Sequence, residues 1–227
     1  MRMTRQTGNA AARASGLMVL SLVAFVLNFH GAWADEADAP KRVQEVVAAA
    51  GGEEKLLKLF RFSERVHITA TVTPLKPDDK SNRTSVVEVG NRWWIGAAPR
   101  DKDKVRVLCW AWSLRILLDP KSKVANLEDI KVGERSAFGL RVTEAVKEPI
   151  DLYFDNSDKR LLAIDYTDTR HLFSEWKKTE EGHSYPSHVA GFRFADRAAR
   201  TLNEKQWYQT DILELTPLKE LPAELPK

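Results

Sequence analysis

The sequence predicts a mainly β chain with helices (α+β), folded as a curled antiparallel sheet or incomplete β-barrel covered by helices. Three observations carry this. Apolar and polar residues alternate over many short runs, which is the period of half-buried strands. Hairpin-type turns separate those runs and imply antiparallel pairing. One stretch, residues 101–118, is apolar most of the way round and reads as a helix that is buried or covers something apolar.

Taken in order, Lys41 to Ala50 reads as a helix. Val43, Val46, Val47 and Ala50 fall at helical spacing, and Gly51-Gly52 stops it. Glu53 to Phe60 reads as a second short helical piece, with Leu56, Leu57 and Phe60 on one side. The period then becomes two. Val66, Ile68, Ala70 and Val72 share one strand face, and His67, Thr69, Thr71 and Thr73 share the other. Pro74 to Ser81 is a turn. Strands near Arg83–Val89 and Arg92–Ala97 flank Gly90-Asn91, a two-residue hairpin signal.

Asp101 to Leu118 fits a helix through Val105, Leu108, Cys109, Trp112 and Ile116, with Asp101 or Asp103 as its cap. Alternation through Val105, Val107, Cys109 and Ala111 fits a strand equally, and length decides for the helix. Strands follow near Leu127–Val132, Arg135–Thr143, Pro149–Phe154, Arg160–Asp168, His171–Lys177, His188–Ala195 and Lys205–Leu215. Asp155-Asn156-Ser157-Asp158 is an Asx-type turn. Pro217 to Lys227 is a Pro-rich tail with no core pattern. The sheet should hold about eight to ten strands. The expected organisation is a leader at 1–34, one half-barrel domain at 35–216, and the tail.

The leader reads as a cleavable signal peptide. Arg2, Arg5 and Arg13 form a basic start, Gly16 to Phe29 an apolar run, and Ala32-Trp33-Ala34 a small-x-small cleavage pattern before Asp35. A membrane-spanning helix needs about 20 apolar residues, and this run is shorter and meets Asn28 and His30. The chain has 35 basic and 32 acidic residues, and the leader holds three of the basic ones. The mature chain is therefore neutral, which gives no reason to expect nucleic acid or an anionic membrane as partner. Any membrane contact would be transient.

Catalytic signatures are absent: no Gly-x-Ser-x-Gly, no His-Glu-x-x-His, no Gly-rich phosphate loop, no paired cysteines. Cys109, the one cysteine, reads as a buried small hydrophobe. His67, His171, His183 and His188 read as solvated turn and strand residues, and no set of metal ligands surrounds them. The Asp155 to Lys159 segment lacks the Gly of a calcium loop and puts a Lys inside. No cofactor and no metal are expected. Six tryptophans follow the leader: Trp93, Trp94, Trp110, Trp112, Trp176 and Trp207. Trp93 and Trp94 are neighbours on a strand, so one faces the core while the other lies under a helix or in solvent.

Several motifs resemble one family. They are the opening Ala50-Gly51-Gly52-Glu53, the segment Leu127 to Val142, the segment Ile150 to Asp155 with Leu161-Leu162 after it, and Gly182 to Pro186 followed by His188-Val189. Over residues 51–215 the chain resembles the exported proteins related to outer-membrane lipoprotein-sorting carriers, the LolA-like group. The resemblance implies an incomplete antiparallel barrel whose concave side is covered by helices. It also implies a cavity that takes acyl chains.

The alternating faces place Val66, Ile68, Val72, Phe138, Leu140, Val142, Leu152, Phe154 and Ile164 inward, with Leu108, Trp112 and Ile116 projecting onto them from the helix. These residues are the expected ligand-binding surface, and no residue is expected to be catalytic. The expected function is an exported, non-enzymatic carrier or binder of an apolar ligand, either an acyl chain or a lipidated partner. The alternatives are an envelope interaction module with a filled core, or a glycan-binding protein or hydrolase that uses tryptophans and carboxylates.

Overall fold

The computed structural model describes residues 38–71, 73–100 and 103–226. The leader and its cleavage pattern, Val72, and a cap at Asp101 lie outside the described residues.

Helix α1 (Ala39–Ala49) begins with Pro40 in its first turn and buries Val43, Val46 and Val47. The helical piece expected over Glu53–Phe60 is a single 3-10 turn, Glu53–Lys55. Strand β1 (Leu59–His67) already contains Leu59 and Phe60. The spacing of Leu56, Leu57 and Phe60 suits either period over so short a run, and pairing on both sides of β1 decides for the strand.

The chain leaves the sheet after His67, so the strand expected to run through Ile68 and Ala70 stops short. Arg65, on the outer face, then holds the following loop. Its guanidinium donates to the Thr73 and Pro74 carbonyls at 3.0 and 3.4 Å and pairs with Asp79 and Asp211.

Strands β2 (Arg83–Glu88), β3 (Arg92–Ile95) and β4 (Ala98–Pro99) form one meander. A second meander follows helix α2 (Asp103–Trp112) and a 3-10 turn at Arg115–Leu118. It comprises β5 (Lys123–Val132), β6 (Arg135–Thr143), β7 (Ile150–Asp155), β8 (Leu161–Tyr166), β9 (Thr169–Lys178), β10 (Ser184–Asp196) and β11 (Thr201–Pro217). Strand β11 returns to pair with β1 and joins the two meanders. Among the described residues this gives one antiparallel sheet of eleven strands, ordered β4-β3-β2-β1-β11-β10-β9-β8-β7-β6-β5. The strand beyond the expected number is β4, whose two residues are too few to carry a period.

The sheet is open, with β4 and β5 as its edges. The connection between those edges is the segment that contains α2, so the topology itself brings the apolar helix across the concave side. Its seat is specific. Arg106 donates to the Gly90 carbonyl at 2.9 Å. Gly90 has φ +76°, and a Cβ there would lie 3.2 Å from the Trp110 ring, so the hairpin signal at Gly90-Asn91 is also a helix-docking point.

The core fills one half of the concave side. Phe138, Leu140, Val142, Ile150, Leu152, Phe154 and Ile164 point inward from β6, β7 and β8, all buried, with Ile116 against them. Trp93 joins this core. Trp94, on the opposite face, is covered by the C-terminal tail, through Leu218, Leu221 and Leu225. The tail thus has a packing role that its composition did not announce. Its Pro226 carbonyl accepts from Trp94 Nε1 at 3.3 Å. Among the described residues no helix is long and apolar enough to cross a membrane.

Candidate functional site

Among the described residues, the other half of the concave side is not filled. A cavity of about 620 Å³ lies between α2 and strands β1, β9, β10 and β11, within the range of about 300–1,000 Å³ typical of small-molecule sites. Its apolar wall comes from alternate strand positions and one helix face. Phe62 and Val66 project from β1, Phe173 from β9, Val189 from β10 and Ile212 from β11, and Val105, Leu108 and Trp112 come down from α2.

The expected binding residues divide between the two halves. Val66, Leu108 and Trp112 border the cavity, and so does Ile68, which is 73% exposed. Ile116, Phe138, Leu140, Val142, Leu152, Phe154 and Ile164 do not border it and belong to the packed core. Alternation identifies the inward face of each strand, but not whether that face meets other side chains or open space.

Several polar residues on the cavity wall had no part in the expected site, and four of them form two pairs across the sheet. Glu64 and Arg83 are directly opposite one another on β1 and β2. Arg83 Nε donates to Glu64 Oε1 at 2.6 Å, and Ser85 Oγ donates to the same oxygen at 3.1 Å. Glu64 is only 1% exposed. Burial pushes its carboxyl above the usual range, against the pull of Arg83.

His171 and Tyr208 form the second pair, joined by a hydrogen bond between Nδ1 and the phenol hydroxyl. They stand on β9 and β11, with β10 between. Gly191 of β10 is the Cα partner of both. A Cβ on Gly191 would lie 1.8 Å from the Tyr208 ring, so the glycine lets that ring lie across β10 and reach His171. His171, expected in solvent, is buried, and burial lowers its pKa to about 3. It is a neutral imidazole at physiological pH. Burial also raises Tyr208, which keeps its proton.

A signal for two of these residues was present. Glu64 shares parity with Phe60, Phe62 and Val66, and Arg83 with Ser85 and Val87. A charge in register with an apolar face predicts a paired buried charge. His171 and Tyr208 gave no such signal, because their meeting depends on a strand lying between them.

Cys109 also borders the cavity and is buried, as expected, with its thiol pushed up to about 12 by burial. At the rim, Lys104 pairs with Asp168 at 3.3 Å, and Arg193 stacks over Trp207 at 5.1 Å. Among the described residues no three His, Cys, Asp or Glu side chains come together as metal ligands.

The chain is similar in structure to several solved proteins. A Vibrio parahaemolyticus domain named for outer membrane lipoprotein sorting aligns over 83% of this chain and 96% of its own, with 10% identity and a TM-score of 0.49. A LolA superfamily protein from Nitrosomonas europaea aligns over 81% and 94%, at 10% identity and a TM-score of 0.46. A DUF1329 family protein from Desulfovibrio piger aligns over 81% and 95%, at 9% identity and a TM-score of 0.45. No protein-family model and no curated protein matches the sequence.

Proposed function

We propose that this chain is an exported, non-enzymatic binder of an apolar ligand, such as an acyl chain or a lipidated partner, and that the cavity beneath α2 is its binding site. The observation that carries this is the unfilled, largely apolar space of about 620 Å³ between the helix and the sheet. Apolar walls facing water are unfavourable at roughly 25 cal/mol per Å², so a wall left unfilled is stabilised by a ligand that covers it.

Two groups of the wall that could act as nucleophile or base are not poised to do so. The Cys109 thiol is far from a thiolate at pH 7. The His171 ring is held too weakly basic to act as a general base near neutrality. Lipoprotein sorting, which names the Vibrio parahaemolyticus domain, agrees with an envelope setting for this chain, as does the leader sequence.

Uptake of a fluorescent fatty acid tests the reading, together with native mass spectrometry of protein purified from its own envelope. Saturable uptake, or a co-purified lipid, is expected. Absence of both would favour the module with a filled core, to which the packed half under β6, β7 and β8 already conforms.

A further inference from the structure

The two polar pairs in the cavity wall are not explained by stability. A buried ion pair gains little over well-packed apolar residues, because desolvation offsets its Coulomb attraction. A glycine in a strand interior weakens the strand, yet Gly191 stands there and makes the Tyr208–His171 contact possible. The wall therefore carries polar groups at a fixed place inside a largely apolar space, whose rim adds Lys104, Asp168 and Arg193.

Their chemistry restricts what can sit against them. Glu64 neutralises Arg83 and engages it through Nε, and among the described residues no hydrogen bond engages its Nη groups, which remain donors for another acceptor. The Glu64 carboxylate beside them repels a second anion. An added cation would meet Arg83 itself. His171 is neutral and Tyr208 keeps its proton, so this second pair adds no net charge. An uncharged oxygen acceptor satisfies every one of these conditions.

We propose that the cavity selects an apolar chain bearing a neutral carbonyl oxygen, as in an acyl ester or amide, with that oxygen accepting from Arg83, in preference to a bare hydrocarbon or a free carboxylate. This rests on the reading of the cavity as an apolar-ligand site and adds the ligand's polar feature. Arg83 is the specificity-determining residue, and Glu64 is the group that excludes anions.

The experiment titrates the full mature chain with methyl laurate, laurate and tridecane, following the fluorescence of Trp112 and Trp207, which both border the cavity. Methyl laurate should bind about tenfold or more tighter than either of the others, the effect of one hydrogen bond to a charged donor. Arg83→Met alone would orphan the buried Glu64, so it is combined with Glu64→Gln. In R83M/E64Q the ester should lose its advantage over tridecane. Glu64→Gln by itself leaves Arg83 unpaired and should raise laurate affinity about tenfold, which keeps the test open should the double variant fold poorly. Equal binding of all three ligands, or tightest binding of laurate to the parent, overturns the carbonyl selection and leaves the apolar cavity standing. No response to any ligand overturns both.

Discussion

At the level of single residues the consequences are sharpest around Tyr208. Gly191→Ala places a Cβ where the ring now lies, so Tyr208 must move off β10 and release His171. Overpacking of this kind costs about 1–3 kcal/mol. Thermal or urea denaturation should show that loss, together with weaker ligand uptake, whereas Gly133→Ala, where the added Cβ meets nothing within 4 Å, should leave uptake unchanged. His171 also sets a pH dependence. Its pKa falls from 6.5 to about 3 on folding, so the unfolded chain takes up the proton first. Stability should fall as pH drops from 6.5 towards 3, by at most about 1.4 kcal/mol per unit from this group. His171→Gln should flatten that part of the curve. If the two curves have the same slope, His171 is not buried as a neutral ring. Asp155 acts over a lower range. Hydrogen bonds from Ser157, with Arg135 nearby, hold its pKa at about 2 against an ordinary 3.8, so its contribution is complete above 3.8 and is lost as pH falls through 2.

At the level of elements, α2 and the C-terminal tail cover opposite faces of the same sheet. Trp112 marks the boundary between filled core and cavity. It packs against Phe60 at 5.3 Å between ring centroids and also borders the open space. Trp112→Ala in a fully packed core would cost about 3–5 kcal/mol. With the cavity on one side, a smaller loss is expected together with altered fatty-acid uptake. A loss in the full range with no uptake by the parent protein would favour the filled-core module. The tail offers an independent test. Ending the chain after Pro217 removes Leu218, Leu221 and Leu225 from Val86 and Trp94. About 2–4 kcal/mol should be lost with that apolar contact, and Trp94 emission should shift to the red. Unchanged melting would mean that the tail does not cover this face.

Across the whole molecule, one sheet serves two purposes. Towards β6, β7 and β8 its concave side is a packed core. Towards β1, β9, β10 and β11 it walls a cavity. Substitutions should sort accordingly. Leu140→Ala, at a position with no exposure, should cost about 2–5 kcal/mol with little direct effect on ligand. Leu108→Ala, on the cavity side of α2, should cost much less stability and change uptake. A charged residue at Leu140 should prevent folding outright, because no partner is at hand for a charge in that setting. If export follows the leader, the intact mass of the envelope protein should begin at Asp35.

The sequence by itself determined the strand periods, the hairpin turns, the antiparallel pairing they imply, and a helix within 101–118, because each depends on local spacing and turn chemistry; the structure limits the α-helix to 103–112, with a 3-10 turn at 115–118. Alternation also placed the residues of β6, β7 and β8 that face inward, but it carried the first strand on through Ile68, which lies beyond β1 and is exposed. Tertiary structure decided what lay beyond reach of any local window. Pairing with β2 and β11 made Leu59 and Phe60 strand residues. Three leucines in a Pro-rich tail found Trp94. Two residues 37 positions apart met across a glycine on the strand between them. The same physics separates core from cavity. Val66 and Leu140 are both apolar and inward, and only the position of α2 over the sheet decides that one faces open space and the other faces side chains.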